Sequence, residues 1–371
     1  MPAISLSKSQ TNQLRDWYVE FHKLVLTNPR WESLRKLYPV TLEEVANIPS
    51  TAALHLKIVD GIFRRFDKPM GEFVISAFDD FIRQHLGVPP LTLVNEPDVV
   101  KAADTLSHLG HVSLPDVDEQ RVAEMRAFFE GQPVYPGSYV AGPERFTLDQ
   151  TRGGNFATYP LSVVFNCPHL AEIANTPETL AIVERFIGTT PTILGYAAWW
   201  SFAQPDHPIE AQLFHLDGDD YRFVKTFIYL TDVGHEDGPH TIFERTQDPD
   251  HLRAIRDDWP GGHREFENWL FGMRRKSDGQ SKRVLGTDPV EMTGPRGTRF
   301  MANTFAVHKG PPPRKSDRLI CQVLYGVSPR LQETITPLRL GTPEASHLPP
   351  MLADAPYDYI NRLFLDPGED G

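Results

Sequence analysis

The segment from Phe214 to Asp220 carries the side chains of this chain best suited to chemistry: His215, Asp217, Asp219 and Asp220 within seven positions. On a strand, residues two apart project from one face, so His215 and Asp217 point together. A neutral imidazole beside a carboxylate offers two adjacent ligands to a divalent cation. One more histidine completes the 2-His-1-carboxylate set that leaves positions open at non-haem Fe(II). His-x-Asp alone is equally an ordinary hydrogen-bonded pair.

His308, which closes the run from Gly297, is the candidate third ligand. Taken with period two, it shares an apolar face with Phe300, Ala302, Thr304 and Ala306, and a satisfied core histidine is the competing explanation. His235, His240 and His263 are rivals. The first two sit in a loop-like Gly/Pro segment too near the pair in sequence to face it across a sandwich, and rank below His308. Ten residues further on, Arg318 opens an apolar, strand-like run. A guanidinium held there can grip a carboxylate bidentately, with Arg314 as the nearby competitor.

Elements that could position these groups follow from periodicity and punctuation. The first 90 residues have helical spacing, from Leu14 through Val25, Leu54 through Phe66 and Phe73 through Ile82. The next stretch, to about Pro115, is mixed and linker-like. Further helices are expected over Val117–Phe129 and from Thr176-Pro177, the latter with Leu180, Val183 and Ile187 on one face and Gly188 closing it. Five strands follow: Thr192–Phe202, Gln212–Asp217, Arg222–Leu230, Thr298–Val307 and Arg318–Val327. Strands crowded into the C-terminal part, without alternating helices, favour a sandwich or jelly roll. The polar segment of about 248–292 has the character of an insertion.

His215-x-Asp217, His308 and Arg318, in this order, resemble the Fe(II)/2-oxoglutarate dioxygenases, specifically the phytanoyl-CoA dioxygenase family. The helix Val117–Phe129, the segment Asn175 to Trp200, the run Asp219 to Asp232 and Asp237-Gly238-Pro239-His240 are similar to that family too. The likeness spans roughly residues 115 to 330 and leaves the N-terminal 114 outside. It implies a mainly β (α+β) chain: a double-stranded β-helix, cupin-like, with flanking helices and an N-terminal helical region. The divisions expected are 1–114 helical, 115–335 catalytic with the insertion at about 248–292, and 336–371 a C-terminal extension.

The resemblance further implies that His215, Asp217 and His308 bind Fe(II), that Arg318 takes the distal carboxylate of 2-oxoglutarate, and that O2 is consumed. Succinate and CO2 would form, with an Fe(IV)-oxo species abstracting a substrate hydrogen. Related halogenases replace the carboxylate ligand with a small residue, so Asp217 favours hydroxylation or another non-halogenating oxidation. Gln212 and Lys225 are secondary candidates for the co-substrate, Lys225 being equally a snorkelling core lysine. Trp199 and Trp200 point to opposite faces, so at most one lines a pocket. Arg274-Arg275-Lys276 has the look of a solvated loop unless the substrate is phosphorylated. One departure stands out: where the family often continues into a Gly-Ser-His turn, this chain runs on from His240 to Gln247 without one.

Composition narrows the alternatives. Among 371 residues, 37 basic and 49 acidic side chains give a net charge of −12, which disfavours a general nucleic-acid binder. No apolar run approaches the roughly 18 residues of a spanning helix, and the first ten residues lack a secretory signal pattern. Two cysteines, Cys167 and Cys321, make no disulfide framework, so a reduced, cytoplasmic setting is expected. The partner expected is a small-molecule substrate; oligomeric state is unreadable. Two readings from other classes stay open: a cupin-like metal enzyme that works without 2-oxoglutarate, and a silent binding protein that keeps the fold.

Overall fold

The computed structural model describes residues 94–137, 144–203, 207–327 and 335–366, with single positions 23, 27, 41, 43 and 76. The helices expected between Leu14 and Ile82 therefore lie outside the described residues, save for those positions. Ten strands build the body: β1 (His111–Leu114), β2 (Tyr135–Pro136), β3 (Phe156–Thr158), β4 (Thr192–Ser201) and β5 (Val224–Tyr229). They continue with β6 (His240–Ile242), β7 (Val290–Met292), β8 (Arg299–Ala302), β9 (His308–Lys309) and β10 (Arg318–Gly326).

The larger sheet runs β1-β8-β5-β10-β4-β3-β2 and the smaller β7-β6-β9, all antiparallel. A backbone bridge between His215 and His308 adds the segment after β4 to the small sheet. From β4 to β10 the chain thus visits large sheet, small sheet, large, small, then small, large, small, large. That alternation is a double-stranded β-helix, as the sequence led one to expect.

Helices cover the outer face of the large sheet. Pro177–Ile187 begins where expected: Thr176 accepts a hydrogen bond from the Thr179 amide and Gly188 (φ 86°) ends it. Its Leu180, Val183 and Ile187 are buried at helical spacing, each such side chain contributing roughly 1.5–3 kcal/mol. The stretch before Pro115 is not a linker. Val99, Ala103 and Leu106 lie at i, i+4 and i+7 on the helix Pro97–Leu109, which buries them, and β1 then forms an edge of the large sheet against β8. Residues 335–366 also join the main core, with Phe364 packed on Phe165 and Tyr196.

Two expected strands are broken. Gln212–Asp217 is a single 3-10 turn, Glu210–Gln212, followed by isolated bridges from Phe214 to Lys276 and from His215 to His308. Thr298–Val307 stops at Ala302, because Asn303 turns the chain: its side-chain oxygen accepts from the Phe305 amide and its carbonyl from that of Ala306. His308 consequently belongs to the other sheet, and no continuous face joins it to Phe300.

The connection from β6 to β7 holds helices Pro249–Asp258, Gly262–Glu267 and Asp278–Leu285 around a second core of Leu252, Phe266, Trp269, Leu270, Val284 and Leu285, closed by Phe214 and Phe243. Ahead of β6, Gly238 adopts φ +70°, and a Cβ there would lie 2.4 Å from the Pro311 carbonyl oxygen. Gly238→Ala is expected to cost about 1–3 kcal/mol, read as a fall in melting temperature. Gly279→Ala, in a helix with nothing within 4 Å of its Cβ position, should leave that temperature unchanged or higher.

Candidate metal centre

The two histidines of the site are cross-strand partners. The His215 amide donates to the His308 carbonyl at 2.9 Å, and the His308 amide donates back to His215 at 3.0 Å. Paired residues project to the same side, and the imidazole centroids lie 4.3 Å apart. In both rings Nδ1 bonds a carbonyl two residues back, Leu213 for His215 and Ala306 for His308, each at 2.9 Å. That leaves Nε2 of each ring free to bind an ion, the backbone support that metal-ligating histidines usually have.

Asp217 completes the cluster. Its amide donates to the Thr304 carbonyl, and its carboxylate sits 3.4 Å from Nε2 of both histidines. The ligand atoms all lie within 4.8 Å of one another, and all three residues were the ones expected from sequence. Two imidazoles and one carboxylate, backed on one side only, suit a divalent first-row metal with open coordination positions. Burial, then the neighbouring His308, holds the His215 imidazole below its usual pKa, so the neutral, ligating form prevails. Burial works against the Asp217 carboxylate, yet the Lys225 ammonium and His308 outweigh it and hold its pKa well below the usual range.

A cavity of about 270 Å³ opens onto these atoms. Its floor is one face of the large sheet, read off with period two: Phe156 and Thr158, Ala197 and Trp199, Lys225 and Phe227, then Arg318, Ile320 and Gln322. The three metal-ligand candidates, His240, Gly310 and Arg275 close it from the other side. Trp200 points away from it into the core, donating to the Tyr159 hydroxyl.

Arg318 lies at the start of β10, 2% exposed. Its Nη2 donates to Ser201 Oγ, its register partner on β4, while Nε and Nη1 have no partner. Gly310 leaves room for the guanidinium: a Cβ there would stand 3.1 Å from Nη2. Burial pulls the Arg318 pKa below its usual value, though an arginine remains charged. Arg314 lies outside the cavity, its amide bonded to the Glu236 carbonyl.

The two secondary candidates behave differently. Lys225 lines the cavity, but its ammonium is already held by Asp217 at 2.6 Å and Asp219 at 2.7 Å, the pairing that raises its pKa against burial. Gln212 does not line it. Its amide oxygen takes hydrogen bonds from Asn155 Nδ2 and the Ile209 amide, bracing the loop before His215.

Two cavity residues were underrated from sequence. His240 begins β6, stacked on His308 and tilted against Phe227, with Nε2 buried and unpaired; burial keeps its pKa far below the usual value. The small-sheet alternation of β6 was the signal that could have placed it. The basic run is solvated only at Arg274: Arg275 lines the cavity, and Lys276 is 1% exposed. His235 and His263 pair instead with Glu291 and Asp257 at the surface.

No family model matches the chain, and no curated protein does. Solved structures show partial similarity. The non-haem α-ketoglutarate-dependent epimerase SnoN of nogalamycin biosynthesis is 16% identical, with a TM-score of 0.41 over 62% of this chain and 83% of its own. HygX from Streptomyces hygroscopicus, solved with nickel, 2-oxoglutarate and hygromycin B, is 17% identical, at 0.39 over 65% and 90%. EctD from S. alaskensis with bound Fe is 13% identical, at 0.43 over 66% and 83%. No described helix is long and apolar enough to cross a membrane. The fold and the site stand on this chain's own topology and side-chain geometry.

Lys225→Met leaves two carboxylates facing each other without their cation. The expected loss is about 2–3 kcal/mol, below that of a fully buried pair because both acids keep some exposure. A divalent ion then restores the missing positive charge. Thermal melts with and without Mn(II) should show a larger metal-induced stabilisation in Lys225→Met than in wild type, and none in His215→Ala.

Proposed function

We propose that the protein is an Fe(II)- and 2-oxoglutarate-dependent oxygenase of the phytanoyl-CoA dioxygenase type, which hydroxylates a small molecule in the cytoplasm. The observation that carries this reading is Arg318: a buried guanidinium with two unpaired nitrogens, sharing a cavity with the His215–Asp217–His308 cluster. A buried cation without counter-charge costs several kcal/mol. A short dicarboxylate that chelates the metal at one end and meets Arg318 at the other removes that cost. 2-Oxoglutarate is such a dicarboxylate.

The chain's own residues then have definite tasks. His215 and His308 hold the ion through Nε2 and Asp217 through a carboxylate oxygen, while Lys225 keeps Asp217 ionised and oriented. Arg318, steadied by Ser201, fixes the distal carboxylate, and the neutral His240 ring offers its unpaired Nε2 to the co-substrate between them. Trp199, Phe227 and Ile320 keep water from the reacting end. When bound, the iron would supply O2 activation: O2 is the oxidant, taking two electrons from 2-oxoglutarate, which would leave as succinate and CO2, and two from the substrate. The buried, free thiols of Cys167 and Cys321 suit a reducing compartment.

The test is anaerobic visible absorption of the apo-protein, titrated with Fe(II) and then 2-oxoglutarate. A metal-to-ligand charge-transfer band should appear only with both additions. Arg318→Ala should raise the 2-oxoglutarate concentration needed by at least about tenfold, the worth of a charged hydrogen-bonded pair. Bound iron with no band would sink the co-substrate assignment and promote a cupin-like metal enzyme that works without it.

A further inference from the structure

We propose that Arg275 is the substrate-recognition residue of this cavity, and that the substrate is a carboxylate: a monoanion with an apolar or aromatic body. This rests on the function proposed above and deepens it.

Arg275 comes from the insertion, yet its position is fixed by its neighbour. The Lys276 amide donates to the Phe214 carbonyl at 2.8 Å, and the Phe214 amide donates back at 3.2 Å, one residue before the first metal ligand. The Lys276 side chain turns into the insertion, its ammonium bonded to the Met273 carbonyl and lying 5.5 Å from the Trp269 ring centroid. Arg275 sits in the bend just ahead of that bridge and lines the cavity. One residue pair further, Lys309, beside His308, holds Asp278 at 2.6 Å and ties the insertion to the second histidine as well. The Arg275 guanidinium is therefore mounted on both histidine-bearing segments.

No carboxylate among the described residues pairs with it; its one hydrogen bond goes to the Arg274 carbonyl at 3.3 Å. Charge accounting of the loaded site shows why that matters. Asp217, Asp219 and a dianionic co-substrate carry four negative charges, and Lys225, Arg318 and a divalent ion carry four positive ones. The site is neutral without Arg275. One positive charge is left at the mouth, half-buried, and one carboxylate matches it where a phosphate monoester, near two negative charges, would overshoot. Trp199, Phe227, Phe156 and Ile320 line the same cavity, a surface for an apolar body that anchors by a charged head and presents its carbon skeleton to the metal.

The experiment uses the Fe(II)·2-oxoglutarate protein under anaerobic conditions, with the charge-transfer band as readout. Phenylacetate through 5-phenylpentanoate are titrated against their primary amides and against phenyl phosphate, in wild type, Arg275→Gln and Arg275→Lys. At least one acid should perturb the band, its amide should bind at least about tenfold more weakly, and Arg275→Gln should erase that difference. Arg275→Lys should recover part of it. Equal binding of acids and amides, tighter binding of phenyl phosphate, or an acid affinity untouched by Arg275→Gln overturns the proposal. So does failure of every acid to bind, or a loss of 2-oxoglutarate affinity in Arg275→Gln, which would assign Arg275 to the co-substrate. Absence of the band before any acid is added is a different result: it removes the co-substrate reading beneath the proposal.

Discussion

Two hydrogen bonds between His215 and His308 constrain everything else at the site. They make the two imidazoles register partners, and the rings therefore leave the backbone side by side. Neither residue lies in a long strand, so the pairing needs the chain on both sides to be held. Asn303 turns it before His308, Gln212 braces it before His215, and the Asp217 amide reaches the Thr304 carbonyl to bring the carboxylate beside both imidazoles. A slip of one residue in this register would send one imidazole to the opposite face. The large sheet supplies the floor of the cavity, and the small sheet fixes the two imidazoles above it.

The second constraint is charge. Lys225 neutralises much of the repulsion between Asp217 and Asp219, so the Asp217 carboxylate stays ionised. Arg318 does the reverse: no carboxylate among the described residues pairs with it, and two of its nitrogens have no partner there. A fold selected for stability alone would not bury a guanidinium this way, since the penalty exceeds what one hydrogen bond to Ser201 returns. Under the proposed function, the stability given up there is recovered when a carboxylate binds.

That His215, Asp217, His308 and Arg318 come together around one cavity was legible because their residue types are scarce and their order along the chain is informative. The helix Pro177–Ile187 was legible because cap, apolar spacing and terminal glycine agree. The face assigned to His308 was not: the period-two pattern from Phe300 to Ala306 persists through the sequence although the backbone turns at Asn303. Lys225 and Gln212 were read as facing a co-substrate, yet the partners they hold, Asp219 and Asn155, are set by tertiary approach with no local signature. His240 and Arg275 escaped for a related reason. Their loops have no periodicity, and only the pairing of β6 with β9 and of Phe214 with Lys276 shows where they face.

The insertion's place in the topology explains how recognition can be separated from metal binding. It joins β6 to β7, strands that pair with each other directly, so the sheet is complete without it. Lengthening such a connection costs little, because closure entropy grows only with the logarithm of loop length. An added loop would ordinarily be too mobile to position a charge. This one has its own core around Phe266, Trp269 and Leu270, and two ties to the histidine-bearing segments, through Lys276 and through Asp278. It is therefore rigid where it meets the cavity and free to vary elsewhere. Side chains at the mouth can change with no cost to His215, Asp217 or His308, whose support comes from the sheets.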